Sequence, residues 1–202
     1  TLNFPGLDAL VDRIEQKANQ WAPSKKLPSM SEDEFFALVA YTFENPVEGG
    51  DNIYQKISQC LRMQNPINNV GDEISEEFIG WKTFLFFLIS ALLKLPSDDR
   101  QCFRGLAISN PDFLETIKTN YTRGEQVEWF GFSSTSTDRD VAMGFTNGQG
   151  VLFSIKTLKG KDLRSFSVFA EEDEILVIPN SKFFVSSGAT QVPESPGVWV
   201  IE

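Results

Sequence analysis

The chain has 202 residues, 41% of them hydrophobic, enough to bury a substantial core in one catalytic-sized domain. Its formal charge of -10 and pI near 4.6 argue against a nucleic-acid binder, whose phosphate contacts demand a basic face; the surplus of carboxylates is either plain solubility or a surface for a cationic partner. Histidine is absent and the only cysteines are Cys60 and Cys102, which excludes Ser-His-Asp and Cys-His catalysis, His-based or Cys-rich metal sites and a dense disulfide framework, and leaves acid-base work to carboxylates.

Leu7, Leu10, Val11, Ile14 and Ala18 recur at helical spacing, and the run Trp21-Ala22-Pro23-Ser24-Lys25-Lys26-Leu27-Pro28 is expected to break that helix at a linker or sharp corner. Residues 1–30 therefore read as a helical extension and 31–202 as the main domain. Ser31 with Glu34 forms a candidate capping box ahead of Phe35, Leu38, Val39 and Tyr41, and a further helix runs from about Asn52 to Met63, ended by Asn65-Pro66. Ser75-Glu76-Glu77 opens a long segment through Trp81, Leu85, Leu88, Leu92 and Leu95 that Pro96-Ser97-Asp98-Asp99 closes. Its most apolar stretch, Phe84 to Leu93, is about half the ~20 residues that span a bilayer, so no membrane span is expected and the helix should lie buried at the centre of a helical layer.

From Cys102 the character changes to short β-rich runs separated by turn residues, with strands predicted near 102–108, 127–135, 150–158, 174–178, 182–187 and 197–201. Helices are expected from Asn110-Pro111 and over about Asp138 to Phe145. Helices first and strands later predict an α+β fold, with a helical layer on a mixed, mostly antiparallel sheet. Cys60 and Cys102 are either two buried thiols or one bridge. The start at Thr1-Leu2-Asn3-Phe4-Pro5 marks a processed or excised chain; with two cysteines and no signal pattern, a cytoplasmic protein is favoured over a secreted one.

Three segments could carry chemistry. In Glu171-Glu172-Asp173-Glu174-Ile175-Leu176-Val177 an acidic cluster runs straight into a hydrophobic strand. If the strand begins by Glu172, the period of two puts Glu172 and Glu174 on one face, where two carboxylates can hold a cation or divide the roles of charge stabiliser and base; the rival reading is a solvated strand edge. Trp129-Phe130-Gly131-Phe132-Ser133-Ser134-Thr135-Ser136-Thr137 ends in five consecutive hydroxyls, which either cap a helix at Asp138 or orient a neighbouring carboxylate. In Cys102-Phe103-Arg104-Gly105-Leu106 an arginine interrupts an apolar strand, and its planar guanidinium suits a phosphate or an internal salt bridge, while Gly105 permits close approach of a ligand to the backbone.

In that order, Arg104, then Ser134-Thr135-Ser136, then Glu172-x-Glu174 resembles the R-S-E signature of the arginine-specific mono-ADP-ribosyltransferases, of the animal-type branch. Phe103-Arg104-Gly105-Leu106 is similar to the family's aromatic-Arg-Gly strand, Phe132-Ser133-Ser134-Thr135-Ser136 to its F-x-S-T-S, and Ala37-Leu38-Val39-Ala40-Tyr41-Thr42 to its helical region, so that the likeness covers roughly residues 35 to 187. The absence of histidine sets the chain apart from the H-Y-E branch of diphtheria toxin and the poly-ADP-ribose polymerases.

The resemblance implies an ADP-ribosyltransferase-type sheet core with an N-terminal helical layer, a catalytic domain over 31–202, and transfer of ADP-ribose from NAD, as co-substrate without a metal, to arginine on a protein with an exposed arginine side chain. It implies that Arg104 binds the NAD phosphates or ribose, that Gly105 holds the nicotinamide carboxamide, and that Ser134, with Thr135 and Ser136 beside it, orients Glu174. Glu174 would stabilise the oxocarbenium-like transition state, and Glu172 would position the acceptor guanidinium and take its proton, because a guanidinium with a pKa above ~12 is otherwise a poor nucleophile. Phe145 resembles an aromatic that stacks on nicotinamide, its alternative being a core residue at a helix end, and the stretch from Leu163 to Phe169, with Phe166, Ser167 and Phe169, resembles the loop that selects the target. Two departures stand out: two cysteines where secreted animal members carry four, and Ser58 where many have asparagine. A monomer is expected, and the alternatives are an NAD glycohydrolase using the same site and a non-catalytic NAD-binding or interaction module.

Overall fold

The computed structural model describes residues 7–45, 52–63, 75–167 and 173–202. It divides into a helical unit, Thr1–Pro96 with Phe130–Phe132 and Ser165–Ala170, and a sheet unit of Ser97–Trp129, Ser133–Arg164 and Glu171–Glu202.

The helical unit contains α1 (Leu7–Lys25), α2 (Glu32–Thr42), α3 (Ile53–Met63) and α4 (Glu76–Lys94). The capping box that starts α2 is closed from both sides, Glu34 N–H donating to Ser31 Oγ at 3.2 Å and Ser31 N–H to the Glu34 carboxylate at 2.6 Å. Glu34 also accepts from Lys94 Nζ at 2.6 Å and Ser90 Oγ at 2.5 Å, and so ties the start of α2 to the last turns of α4. Phe35, Leu38, Ile57, Leu88 and Leu92 fill the core between these helices.

Two expectations are corrected here. The helix α1 does not break at Trp21 but continues through Pro23 to Lys25. Proline near a helix end removes one hydrogen bond, to the carbonyl of Asn19 on an exposed turn, while Lys17 and Lys25, one turn either side of Trp21, place their ammonium groups 4.5 and 3.6 Å from its ring centroid. Nor is α4 buried all round: Trp81, Leu85, Leu88, Ala91 and Leu92 face inward, whereas Ile79, Phe86, Ile89 and Leu93, on the other side of the 3.6-residue period, are exposed.

The sheet unit holds β1 (Ser97–Asp98), β2 (Gln101–Ala107), α5 (Pro111–Asn120), β3 (Gln126–Trp129), β4 (Ser133–Ser136), α6 (Arg139–Gly144), β5 (Gly150–Lys156), β6 (Gly160–Asp162), β7 (Glu174–Val177), β8 (Ser181–Phe184), β9 (Thr190–Val192) and β10 (Ser195–Ile201). Among the described residues eight strands form one sheet in the order β1-β6-β7-β4-β2-β5-β10-β9, antiparallel except for the parallel pair β5 and β10, and β3 pairs with β8 in a separate ribbon. This is the expected α+β class with a mixed, mostly antiparallel sheet. Asn110 and Asp138 cap α5 and α6, each accepting two backbone N–H groups, and Pro111 occupies the first turn of α5.

Strand alternation assigns the two faces of the sheet. Cys102, Val151, Phe153 and Ile175 point into a core shared with Tyr121, Trp129 and Phe183, and Leu152 and Val198 point to the opposite face beneath Ala142 of α6. Cys60 and Cys102 are free, buried thiols, both pushed up in pKa by burial. The single strand expected over 127–135 is two strands in different sheets, because Phe130-Gly131-Phe132 leaves for the helical unit, where a Cβ on Gly131 would come within 3.1 Å of the Ser58 carbonyl. Ser58 is buried and donates to the carbonyl of Phe132 at 3.4 Å.

Candidate active site

Three neighbouring strands carry the sequence-predicted residues of the sheet unit. Arg104 and Gly105 lie on β2, Ser134, Thr135 and Ser136 on β4, and Glu174 opens β7. The register makes Phe103 the partner of Ser136 and Ser136 the partner of Glu174, so one row crosses all three strands. Side chains of directly opposed residues share a face, and the period of two adds Ser134 and Gly105 to it.

The same face receives α6. A Cβ on Gly105 would stand 1.9 Å from the Ala142 carbonyl and 3.2 Å from Phe145 Cβ, so the space that a side chain would occupy belongs to the helix. The missing side chain of Gly105 therefore admits α6, and the expected contact to a ligand is left to its in-plane backbone groups. Phe145, the C-cap of α6, is 57% exposed, which removes the core alternative and leaves an aromatic surface beside Gly105.

Phe103–Ser136 is the one register pair between β2 and β4 among the described residues. Arg104 opposes Phe153 on β5, so its side chain leaves from the core face and not from that row; half-buried, it donates from Nη1 to the Ser134 carbonyl at 2.6 Å. The guanidinium is thus tethered at the hydroxyl strand. Thr135 also points away from the row. It is buried at 3% exposure and donates its hydroxyl to the Ile175 carbonyl, so it fastens β4 to β7 from the core side and is no ligand contact. Ser136 Oγ accepts from Asp138 N–H at 3.0 Å.

At the start of β7 the expected alternation fails. Asp173 has φ of +48°, a left-handed conformation, and the strand begins at Glu174, so period two cannot be extended back through Asp173. Glu172 and Phe169 lie outside the described residues. Asp173 is held from two sides: its carbonyl accepts from Thr137 N–H at 3.2 Å, and its carboxylate pairs with Arg164 Nη1 at 3.3 Å. Leu163 N–H donates to the Glu174 carbonyl at 3.1 Å.

Arg164 belongs to a chain of charges that sequence reasoning did not find. Asp98 accepts from Arg100 through its amide at 2.9 Å and its guanidinium at 2.6 to 2.9 Å. Arg100 reaches Asp162 at 3.2 Å. Asp162 accepts from the Arg164 amide at 3.0 Å, from its Nε at 3.0 Å and from its Nη2. The hydrogen bonds of Arg100 lower the pKa of Asp98 and those of Arg164 lower that of Asp162, while Asp162 raises that of Arg164. The repeated Asp-x-Arg, at Asp98-Asp99-Arg100 and Asp162-Leu163-Arg164, was the available signal.

The target-loop expectation is corrected for the residues described. Phe166 is 5% exposed, packs edge-on against Phe35 with ring centroids 6.3 Å apart, and accepts from Thr42 Oγ1 at 3.0 Å through its carbonyl; Ser167 is buried as well. Phe166 is a core residue of the helical unit and has no ring to offer an incoming substrate. Separately, a cavity of about 1030 Å³ in the sheet unit is lined by Tyr121, Trp129, Phe153 and Phe183 among others, and Arg104, Gly105, Ser134, Phe145 and Glu174 are not in its wall. Among the described residues no group of three or more Cys, Asp or Glu could hold a metal ion, and no helix is long and apolar enough to cross a membrane.

A sequence model of the NAD:arginine ADP-ribosyltransferases matches residues 3–195, and the chain belongs to that family. It is similar to ecto-ADP-ribosyltransferase 5 of Bos taurus, 39% identical over 167 residues that cover 79% of this chain and 47% of the relative, and to NAD(P)(+)--arginine ADP-ribosyltransferase 2 of Gallus gallus, 29% identical over 161 residues that cover 78% of this chain and 45% of the relative. The chain thus spans about half the length of these curated relatives. Its fold is similar to that of ADP-ribosyltransferase HopU1 of Pseudomonas syringae pv. Tomato DC3000, with a TM-score of 0.70 at 23% identity over 96% of this chain and 85% of that one.

Proposed function

We propose that this protein transfers ADP-ribose from NAD to arginine side chains of an acceptor protein and releases nicotinamide. The observation that carries the reading is the row Phe103, Ser136, Glu174 across three strands, with an exposed Phe145 beside it and Arg104 tethered to the same hydroxyl strand from the opposite face of β2. Family membership, and relatives named as NAD(P)(+)--arginine ADP-ribosyltransferases, support it.

Each part has a chemical use. Arg104 presents a planar, permanently charged fork suited to pyrophosphate oxygens, and Phe145 presents a ring face to nicotinamide. Cleavage breaks the bond between ribose C1′ and the nicotinamide nitrogen; the electron pair leaves with nicotinamide, and positive charge develops on the ribose. The Glu174 carboxylate, oriented with the help of Ser134 and Ser136, hydrogen-bonds the ribose and stabilises that charge. Glu172 holds the acceptor guanidinium, takes its proton as nitrogen bonds to C1′, and so directs ADP-ribose to arginine instead of water.

Labelled NAD incubated with agmatine and, separately, with a mixed protein extract tests the proposal against Glu174→Gln and Glu172→Gln. Glu174→Gln is expected to abolish both NAD cleavage and transfer, whereas Glu172→Gln loses transfer and keeps hydrolysis. Full transfer in the Glu172 variant, or label on cysteine, asparagine or serine, would contradict it.

A further inference from the structure

We infer that Arg164 is a positioning residue for Glu174, acting through its ion pair with Asp173; the inference rests on the reading of Glu174 as the carboxylate that drives NAD cleavage. Three observations converge. Asp173 stands in the left-handed region, which aspartate enters more readily than most residues and which breaks the strand alternation just before Glu174. Its carboxylate pairs with Arg164 at 3.3 Å, immediately before the residue whose own carboxylate has to be aimed. The backbone on the far side is pinned by Leu163 N–H to the Glu174 carbonyl, so Leu163 and Arg164, adjacent in sequence, grip adjacent residues of the β7 entry.

A lone exposed ion pair would be a poor positioning device, because ordering two long side chains offsets most of the attraction. Arg164 differs because its orientation is already set. Asp162 receives its amide, Nε and Nη2, and Asp162 is in turn held by Arg100, which Asp98 fixes on β1. The chain Asp98, Arg100, Asp162, Arg164, Asp173 therefore runs from the edge strand β1 through β6 to the β7 entry, with the rotamers ordered before the last contact is made. Ligand binding need not order them again, which is the condition for a catalytic group held ready for its transition state.

The test compares wild type, Arg164→Gln, Arg164→Lys, Asp173→Asn and the double variant Arg164→Gln/Asp173→Asn in the full chain. Asn tolerates the left-handed backbone, so Asp173→Asn removes the charge and keeps the fold. Expected results are a roughly tenfold fall in kcat for Arg164→Gln at a KM for NAD within about twofold of wild type, partial rescue by lysine, and no further loss in the double variant. Amide exchange, read without any turnover, should quicken at Glu174 and Ile175 in Arg164→Gln while the melting temperature moves little. Unchanged exchange at those amides overturns the inference even if the protein proves inactive, and wild-type inactivity with altered exchange counts against the NAD-cleavage reading alone. A raised KM with unchanged kcat, or additive losses in the double variant, would make Arg164 a direct NAD contact or an independent stabiliser and equally overturn it.

Discussion

Ser136 stands directly across the strand pair from Glu174, and Ser134 stands across from Leu176, one diagonal step away. Opposed Cβ atoms are about 4.5–5.5 Å apart and diagonal ones about 7–8 Å, so the two hydroxyls are not equivalent for orienting the carboxylate. Ser136→Ala is expected to lower kcat for NAD cleavage roughly ten- to hundredfold, the size of a lost hydrogen bond to a charged group, and more than Ser134→Ala does. Steady-state kinetics of both variants decide the order. A melting curve of Ser136→Ala accounts for the bond from Asp138 N–H that is lost with it.

Gly105→Ala should destabilise the sheet unit by about 1–3 kcal/mol, as overpacking does, because the new methyl meets the backbone carbonyl of Ala142 instead of a side chain that can turn aside. Denaturant unfolding measures this. The site should suffer with the fold, since α6 carries Phe145 and must move for the methyl to fit.

Phe145→Ala removes a ring that is 57% exposed, and stability should change by less than about 0.5 kcal/mol. If the ring stacks on nicotinamide, KM for NAD rises several-fold while Phe145→Tyr stays close to wild type. Equal KM values for the alanine variant and wild type would remove Phe145 from the site.

Phe166→Ala should behave in the opposite manner. Loss of a buried ring costs about 3–5 kcal/mol, so the helical unit loosens, and whatever activity remains keeps its preference among acceptors. Melting curves alongside transfer to agmatine and to whole-protein acceptors separate the two effects.

Acid should weaken the helical unit through Glu34. The Lys94 ammonium, then the Ser90 hydroxyl and the Ser31 amide, hold its carboxyl at about 2, against an ordinary value of 4.5. The folded state thus favours the ionised form, so the stabilisation is present above about pH 4.5 and is lost as pH falls towards 2. Helical circular dichroism melts between pH 6 and 2 should show the loss, and Glu34→Gln should flatten that part of the profile. Asp98 and Asp162, also lowered by their arginines, add a slope of the same sign that the variant leaves in place.

What the sequence made legible was local. Ser31 with Glu34, Asn110 with Pro111, and Asp138 announced their helices because capping needs only residues three or four apart. The long β-rich runs of β2, β5 and β10 were visible for the same reason. The short strands β1, β6 and β9 were not, since Ser97–Asp98 and Gly160–Asp162 are polar and become strands through their pairing with each other and, for β6, with β7. Which serine opposes Glu174 is a matter of register between segments some 40 residues apart, and no window along the chain contains it. The inward ring of Phe166 is not legible in the sequence, because a phenylalanine near an acidic motif reads alike whether its ring points out or into a helical core. Arg164 does not stand out in the sequence because its partner Asp162 lies within the same short turn, while the contact that matters for β7 is with Asp173.

The left-handed backbone at Asp173 restricts which sequences can occupy the middle of the Glu172-x-Glu174 motif. Aspartate, asparagine and glycine enter that conformation readily, and β-branched residues do so only with strain. A library randomised at this codon and selected for folded protein should therefore return those three, and a second selection for turnover should keep aspartate above glycine. The alphabet permitted at the position would be written by one dihedral angle, and the choice within that alphabet by an arginine nine residues upstream.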